Sequence, residues 1–419
     1  MRASLVTWTL WAFGLVLSVP ALLGAQAPAA QDAAAVQALE AEIDQLRLEF
    51  QARLAALEGR LATLAGGQAP ARSEAETPPA PPAPNTSSGA GSKIFNPDIA
   101  VIGNFLGAAG RNDVRPEPAL RLPESEVSLQ AVVDPYARAD FFFAFGDEGV
   151  AVEEGFITFP TLPGGLLMKV GKMRAAFGKV NTLHTHARTW TDVPLVTENL
   201  VAGEEGISDA GVSVAGLVPN PWLFLEATGQ VFRGDSGELF ASSRRRDLSY
   251  VGRLRGYQDI SESTNIDLGA SYARGHNASG AGERAEAGRF ATSLFAIDAT
   301  LRWRPLTRSI YHSFLGRSEV VWSRRDQPDG LQRASGFYVS GDYQLGRRWF
   351  TGLRFDRSDR ADDSSVHDSG KSLTLTYRPS EFSAFRGQVR RTSYAEGVTA
   401  NEFLFQVQFA IGAHGAHQF

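Results

Sequence analysis

The segment HTHAR at 184–188 places His184 and His186 two residues apart, with Arg188 two further on, and the acidic stretch TENLVAGEEG at 197–206 follows. An extended chain sends alternate side chains to one side, so both imidazoles can face a common partner. Neutral imidazole is a good ligand for zinc or copper. Neither this pair nor the pair His414 and His417 near the chain end makes a full site alone. His184 and His186 are therefore weak metal candidates, and neither a metal nor a cofactor is expected. Nucleophilic chemistry has less support. The chain has no cysteine, and Ser313 and Ser318 near His312 lie on a stretch patterned as a strand, where neighbours point to opposite faces. No G-x-S-x-G elbow, P-loop or H-E-x-x-H motif occurs, so no enzyme is expected.

What remains is charge placed to act as a field. One long segment, 175–207, carries Lys179, His184, His186 and Arg188 as basic or titrating groups and Asp192, Glu198, Glu204 and Glu205 as acidic ones. Charges at a constriction set ion preference, because a low-dielectric wall focuses their field. The strands flanking this segment add more charge on one face. Arg138, Lys169, Arg253, Arg255, Arg302, Arg317, Arg354, Arg386 and Arg390 are basic there, and Asp140, Glu226, Asp267, Asp298, Glu319, Asp342 and Asp356 acidic. The bland reading is that these charges pair with one another and hold a wet wall together.

The elements that must position these groups are strands. In FAIDATLRWRP at 295–305, Phe295, Ile297, Ala299, Leu301 and Trp303 fall on one face, and Asp298, Thr300 and Arg302 on the other. Similar alternation recurs from Lys93 onward in about sixteen segments. Short links such as Asp134-Pro135 and Pro379-Ser380 alternate with long polar ones such as 233–246, 275–291 and 357–370. Aromatics collect near both strand ends: Trp303, Tyr343, Trp349 and Tyr377 beside short turns, and Tyr250, Tyr272, Trp322 and Phe403 toward the long loops. Alternation, short-long links and two aromatic belts together describe a transmembrane barrel in lipid. A secreted sandwich or solenoid predicts only the first. The net charge of -5, without a long basic run, gives no reason to expect nucleic acid as a partner.

The N-terminal part reads differently. Arg2, an apolar stretch over about 5–23 and small residues at 24–27 fit a secretory signal peptide spanning 1–27. Val36, Ile43, Phe50, Leu57 and Leu64 recur every seven residues, so 31–65 reads as a coiled-coil helix. Prolines, then serines and glycines, make 66–92 a linker. The terminal residue, Phe419, is the kind of aromatic that outer-membrane barrels commonly end on.

FNPDIAVIGNF at 95–105 and GLLMKVGKMRAAFGKVN at 165–181, set in this barrel pattern, resemble the phosphate-selective porin O and P type superfamily of Gram-negative outer membranes. The resemblance spans roughly 93–419, and its most specific part is the V-G-K-x-x-x-x-F-G-K-x-N sequence. It implies a sixteen-stranded, usually trimeric diffusion channel, with an arginine ladder and a lysine cluster in phosphate-specific members. That ladder does not map onto this sequence residue by residue. The resulting expectation is an all-β fold: a transmembrane antiparallel β-barrel of about sixteen strands in the outer membrane, preceded by a periplasmic coiled-coil helix. It would pass small polar solutes or anions by passive diffusion, narrowed by the third long loop, with weak anion preference or little preference. The coiled coil would join three copies or reach peptidoglycan or another periplasmic partner. The alternative expectation is a structural protein that tethers the envelope through its coil and hardly conducts.

Overall fold

The stretch 295–303 behaves as its alternation requires: Phe295, Ile297 and Leu301 are exposed, whereas Leu294, Ala296, Asp298 and Thr300 are buried. The structure is a computed structural model that describes residues 97–412, apart from 147–148, 204, 238, 242–243 and 280–285. The expected signal segment, coiled coil and linker, together with His414, His417, Phe419 and Glu204, lie outside the described residues.

Sixteen strands follow in order: β1 (Asp98–Arg111), β2 (Leu120–Asp134), β3 (Ala137–Gly146), β4 (Gly149–Leu162), β5 (Leu166–Arg174), β6 (Ser208–Leu217), β7 (Phe224–Phe232) and β8 (Ser249–Ser261). They continue with β9 (Thr264–Ser279), β10 (Glu286–Trp303), β11 (Phe314–Gln327), β12 (Gly330–Gln344), β13 (Trp349–Asp359), β14 (His367–Ser380), β15 (Ser383–Ser393) and β16 (Thr399–Gly412). Each pairs antiparallel with its sequence neighbours, and β1 closes on β16 in a register running from Ala100 opposite Gly412 to Arg111 opposite Asn401. Closure leaves no unpaired edge, so the backbone groups of the wall are satisfied without water.

The outer face is apolar over a wide band. Tyr250, Tyr272, Trp322 and Phe403 are exposed toward one end, and Tyr343 and Trp349 toward the other. Trp349 packs on Tyr377 across the β13–β14 pair at 4.7 Å between ring centroids. The inner face carries the polar alternates, many of them buried: Asp267, Asp298, Glu319, Arg354, Asp356 and Gln388.

The links depart from a strict short-long alternation. On the side expected to carry long loops, β3–β4 and β11–β12 are joined by only 147–148 and 328–329. On the opposite side β10 and β11 are joined by ten residues, 304–313, rather than by a short link. The expected loop 275–291 is largely strand, because β9 runs to Ser279 and β10 begins at Glu286. The last of these has a simple cause. Polar, turn-rich composition marks solvent contact, and a hairpin rising beyond the belt is as solvated as a loop while it keeps its ladder hydrogen bonds.

Candidate functional site

Residues 175–207, between β5 and β6, carry two single-turn 3-10 helices (Val180–Thr182 and Thr185–Ala187) and one short helix, α1 (Leu195–Leu200). The segment packs on inward-facing residues of strands right around the barrel. Its base is closed by one side chain. Asn181 Nδ2 donates to the carbonyls of Ala175 (2.8 Å) and Ile207 (3.0 Å), and its Oδ1 accepts from the Ile207 amide at 2.7 Å. Substituting Asn181→Ala leaves the buried Ile207 N–H without its acceptor, at an expected cost of about 1–3 kcal/mol. Denaturant unfolding of the detergent-folded protein measures this; an unchanged midpoint would show that the side chain does not close the loop.

The AFGKVN part of the sequence motif forms the first anchor. Phe177 is fully buried. Gly178 has φ +56°, and a Cβ there would collide with the Glu319 carboxylate, so glycine is required twice over. The position is held by Glu319 Oε2, which accepts from the amides of Lys179 (2.9 Å) and Val180 (3.1 Å). Arg253 Nη1 donates to the Gly178 carbonyl at 2.7 Å and pairs with Asp298. Lys179 lies among Asp267, Arg302, Arg255 and Arg317; burial, then the three guanidiniums, lower its pKa to about 8 against the pull of Asp267.

The second anchor is a carboxylate–imidazole cluster. His184 Nε2 meets Glu154 Oε2 at 2.8 Å, and Nδ1 lies 3.1 Å from both Glu126 Oε2 and Glu153 Oε2. His186 Nδ1 lies 3.3 Å from the same Glu126 oxygen, and the two rings are 5.6 Å apart. Burial works against a charge on His184, but the three carboxylates outweigh it and raise its pKa well above the ordinary histidine range. Glu153 and Glu154 reach one imidazole from consecutive positions because β4 carries a bulge there. Phe142 pairs with Glu154 and Phe143 with Val152, so Glu153 is the extra residue.

The third anchor lies across the barrel. Trp190 is buried edge-on to Tyr338 (5.4 Å), with Arg354 5.1 Å and Arg317 5.7 Å from its ring centroid. Asp192 accepts from Arg354 (2.8 Å), Arg390 (2.9 Å) and Gln388 (2.6 Å). The guanidiniums hold its carboxyl well below the usual range although burial pushes the other way. Glu198 on α1 approaches Arg115 at 3.6 Å.

The expected site residues thus divide. Lys179, His184, His186, Arg188, Glu198 and Arg253 take part in, or lie close to, the fastening of the loop. Glu205 is exposed, and it is its backbone carbonyl that accepts from Arg174. Arg138, Lys169, Arg255 and Arg302 stand on the inner wall, Arg255 and Arg302 beside Lys179 of the first anchor. Lys169 lies 4.4 Å over the Phe156 ring. In two charge pairs of this wall the cation is the wetter member: Arg138 is 50% exposed against 9% for Asp140, and Arg255 33% against 3% for Asp267. Arg302, 4.0 Å from Asp267, is 25% exposed. Sequence reasoning missed Glu124, Glu126, Glu153, Glu154 and Trp190. ESE at 124–126 alternates as an inward pair should, but the bulge that gathers EE at 153–154 leaves no mark in the pattern.

This architecture is the barrel fold of outer-membrane porins. It superposes on OprB of Pseudomonas putida with a TM-score of 0.53 at 9% identity, covering 75% of this chain and 94% of that one. An anion-selective porin from Comamonas acidovorans gives 0.51 at 11% identity, covering 75% and 98%. The trimer form of OmpT, an outer membrane protein of Vibrio cholerae, gives 0.51 at 10%, covering 75% and 100%. No family model matches the chain. By sequence, the chain belongs to one family with an uncharacterized protein of Aquifex aeolicus (strain VF5), to which it is 30% identical over 394 residues, 78% of this chain and 81% of the relative.

Proposed function

We propose that this protein is an outer-membrane porin through which small polar solutes and anions diffuse passively, with residues 175–207 as the constriction. The observation that carries the reading is a long loop fastened to inner-wall strands on opposite sides of a closed barrel whose outer band is apolar. Lipid covers that band, and water with mobile ions fills the rest of the lumen. Anion preference is supported by the wall pairs, which bury the carboxylate and leave the guanidinium wet. A trimer, with one pore in each copy, is the assembly supported by the trimeric barrel among the similar structures. The resemblance to phosphate-selective porins adds phosphate as the solute to try first.

Single-channel recording in a planar bilayer tests the reading. Large stepwise currents, arriving in threes, are expected, and added phosphate that blocks them would mark a phosphate site. A silent bilayer from folded, heat-modifiable protein would overturn it in favour of an envelope tether acting through 31–65.

Lys179 gives a pH test. With a pKa near 8, it is charged at pH 7 and mostly neutral at pH 9. The anion preference is therefore expected to fall as pH rises through about 8. Asp267, Arg255, Arg302 and Arg317 face it. Reversal potentials at pH 7 and 9 read the change, and Lys179→Met should remove it.

A further inference from the structure

The geometry points to a divalent transition-metal site formed by His184 Nδ1, Glu126 and Glu153, with Glu154 orienting the imidazole. The ligand class is a borderline cation such as Zn²⁺, which takes imidazole nitrogen together with carboxylate oxygen. The inference concerns how the loop is clamped to the wall and does not rest on the porin reading.

The first support is the orientation of His184. Glu154 Oε2 stands 2.8 Å from Nε2, where it accepts that nitrogen's proton. Metal-bound histidines typically give their second N–H to a carboxylate in this way, which fixes the tautomer and leaves the other lone pair for the ion. Nδ1 lies 3.1 Å from two carboxylate oxygens at once, Glu126 Oε2 and Glu153 Oε2. Two carboxylates facing one ring nitrogen call for positive charge between them, which either a proton on Nδ1 or a metal ion in its place supplies. A single proton on Nδ1 makes one linear hydrogen bond. A metal ion satisfies all three atoms together: bonds of about 2.0–2.1 Å in a tetrahedral shell place ligand atoms about 3.3 Å apart, close to the spacing found.

The second support is the supply of further ligands. The His184, Glu126 and Glu153 donor atoms lie within 4.8 Å of one another, and so do those of His186, Glu126 and Glu124. Glu126 belongs to both sets, so His186 or Glu124 stands next in line for a fourth position. Four carboxyl groups converge here on the two imidazoles, with Arg174 paired with Glu153 at 3.2 Å and Arg188 nearby. The third support is the β4 bulge, which turns consecutive glutamates toward one imidazole and gives the site both a ligand and its orienting partner.

The test is calorimetric titration of untagged, chelator-stripped, detergent-folded protein with Zn²⁺ at fixed pH, with elemental analysis of the bound metal. One zinc per chain is expected. His184→Ala and Glu126→Gln should abolish that stoichiometric binding, and Glu154→Gln should weaken it by about 10–100-fold. Folding of each variant is checked by heat-modifiable migration. Because a variant can fail to fold, X-ray absorption on the zinc-loaded wild type gives an independent reading: a shell of nitrogen and oxygen with at least one imidazole. No bound zinc in folded wild type, or undiminished binding in folded His184→Ala, would overturn the site. Folded wild type that conducts yet binds no zinc would refute this site and leave the channel reading standing.

Discussion

Replacing Asp192 with alanine will release residues 175–207 from the far wall of the barrel. Asp192 is the common acceptor of Arg354, Arg390 and Gln388, while the adjacent Thr191 amide and hydroxyl both donate to Gln388 Oε1. Removing one partner of a buried ion pair leaves an uncompensated charge, which costs about 3–5 kcal/mol. Here the lower end applies, because Arg354 keeps Asp356 at 2.8 Å and Arg390 keeps Glu402 at 2.7 Å. The expected results are a stability loss of about 3 kcal/mol, a lower unfolding midpoint, and a noisier, larger single-channel current as the loop leaves its seat. Arg111→Ala is the control. Its partner Asp113 and Arg111 itself are exposed at the rim, so neither quantity should move. Wild-type noise and midpoint in Asp192→Ala would mean that the far wall holds the loop through Trp190 and its aromatic and cationic neighbours, without Asp192.

The barrel was legible because its cause is local. Side chains alternate every two residues along a strand, so a sheet dividing an apolar medium from water writes that period into each segment. All sixteen expected segments overlap observed strands. The inward parity of Arg253, Arg302 and Arg354 was equally readable, since each follows from its strand's alternation. The anchors were not. Glu319 meets Lys179 across 140 positions, and Gln388 meets Thr191 across 197. No period links such partners, because their meeting is set by the path of the loop through the lumen. His184 shows the boundary clearly. Its residue type raised metal chemistry, but the carboxylates that surround it come from β2 and from a bulge on β4. A bulge adds one residue without changing composition, so a reading by alternation passes over it.

Under the proposed anion preference, neutralising Arg255 and Arg302 together is expected to turn the pore cation-preferring at pH 9. Both guanidiniums reach toward Asp267, which lies beneath them almost wholly buried, so the wall presents their charge to the lumen. An ion passing about 5 Å from one such group in water-like dielectric feels about 0.8 kcal/mol, close to a four-fold change in its local concentration. Two groups acting on the same stretch compound this at low salt, and screening reduces it as ionic strength rises. In Arg255→Gln, Arg302→Gln the same stretch holds Asp267 with Lys179 and the buried Arg317 as the remaining cations, and Lys179 itself loses charge above pH 8. The reversal potential in a salt gradient should therefore change sign in the double variant at pH 9, and only shrink toward zero at pH 7. The contrast between the two pH values separates this account from a simple widening of the pore, which would reduce selectivity equally at both. If the double variant keeps the wild-type reversal potential, ions do not pass along this wall, and the field that selects them belongs to the loop.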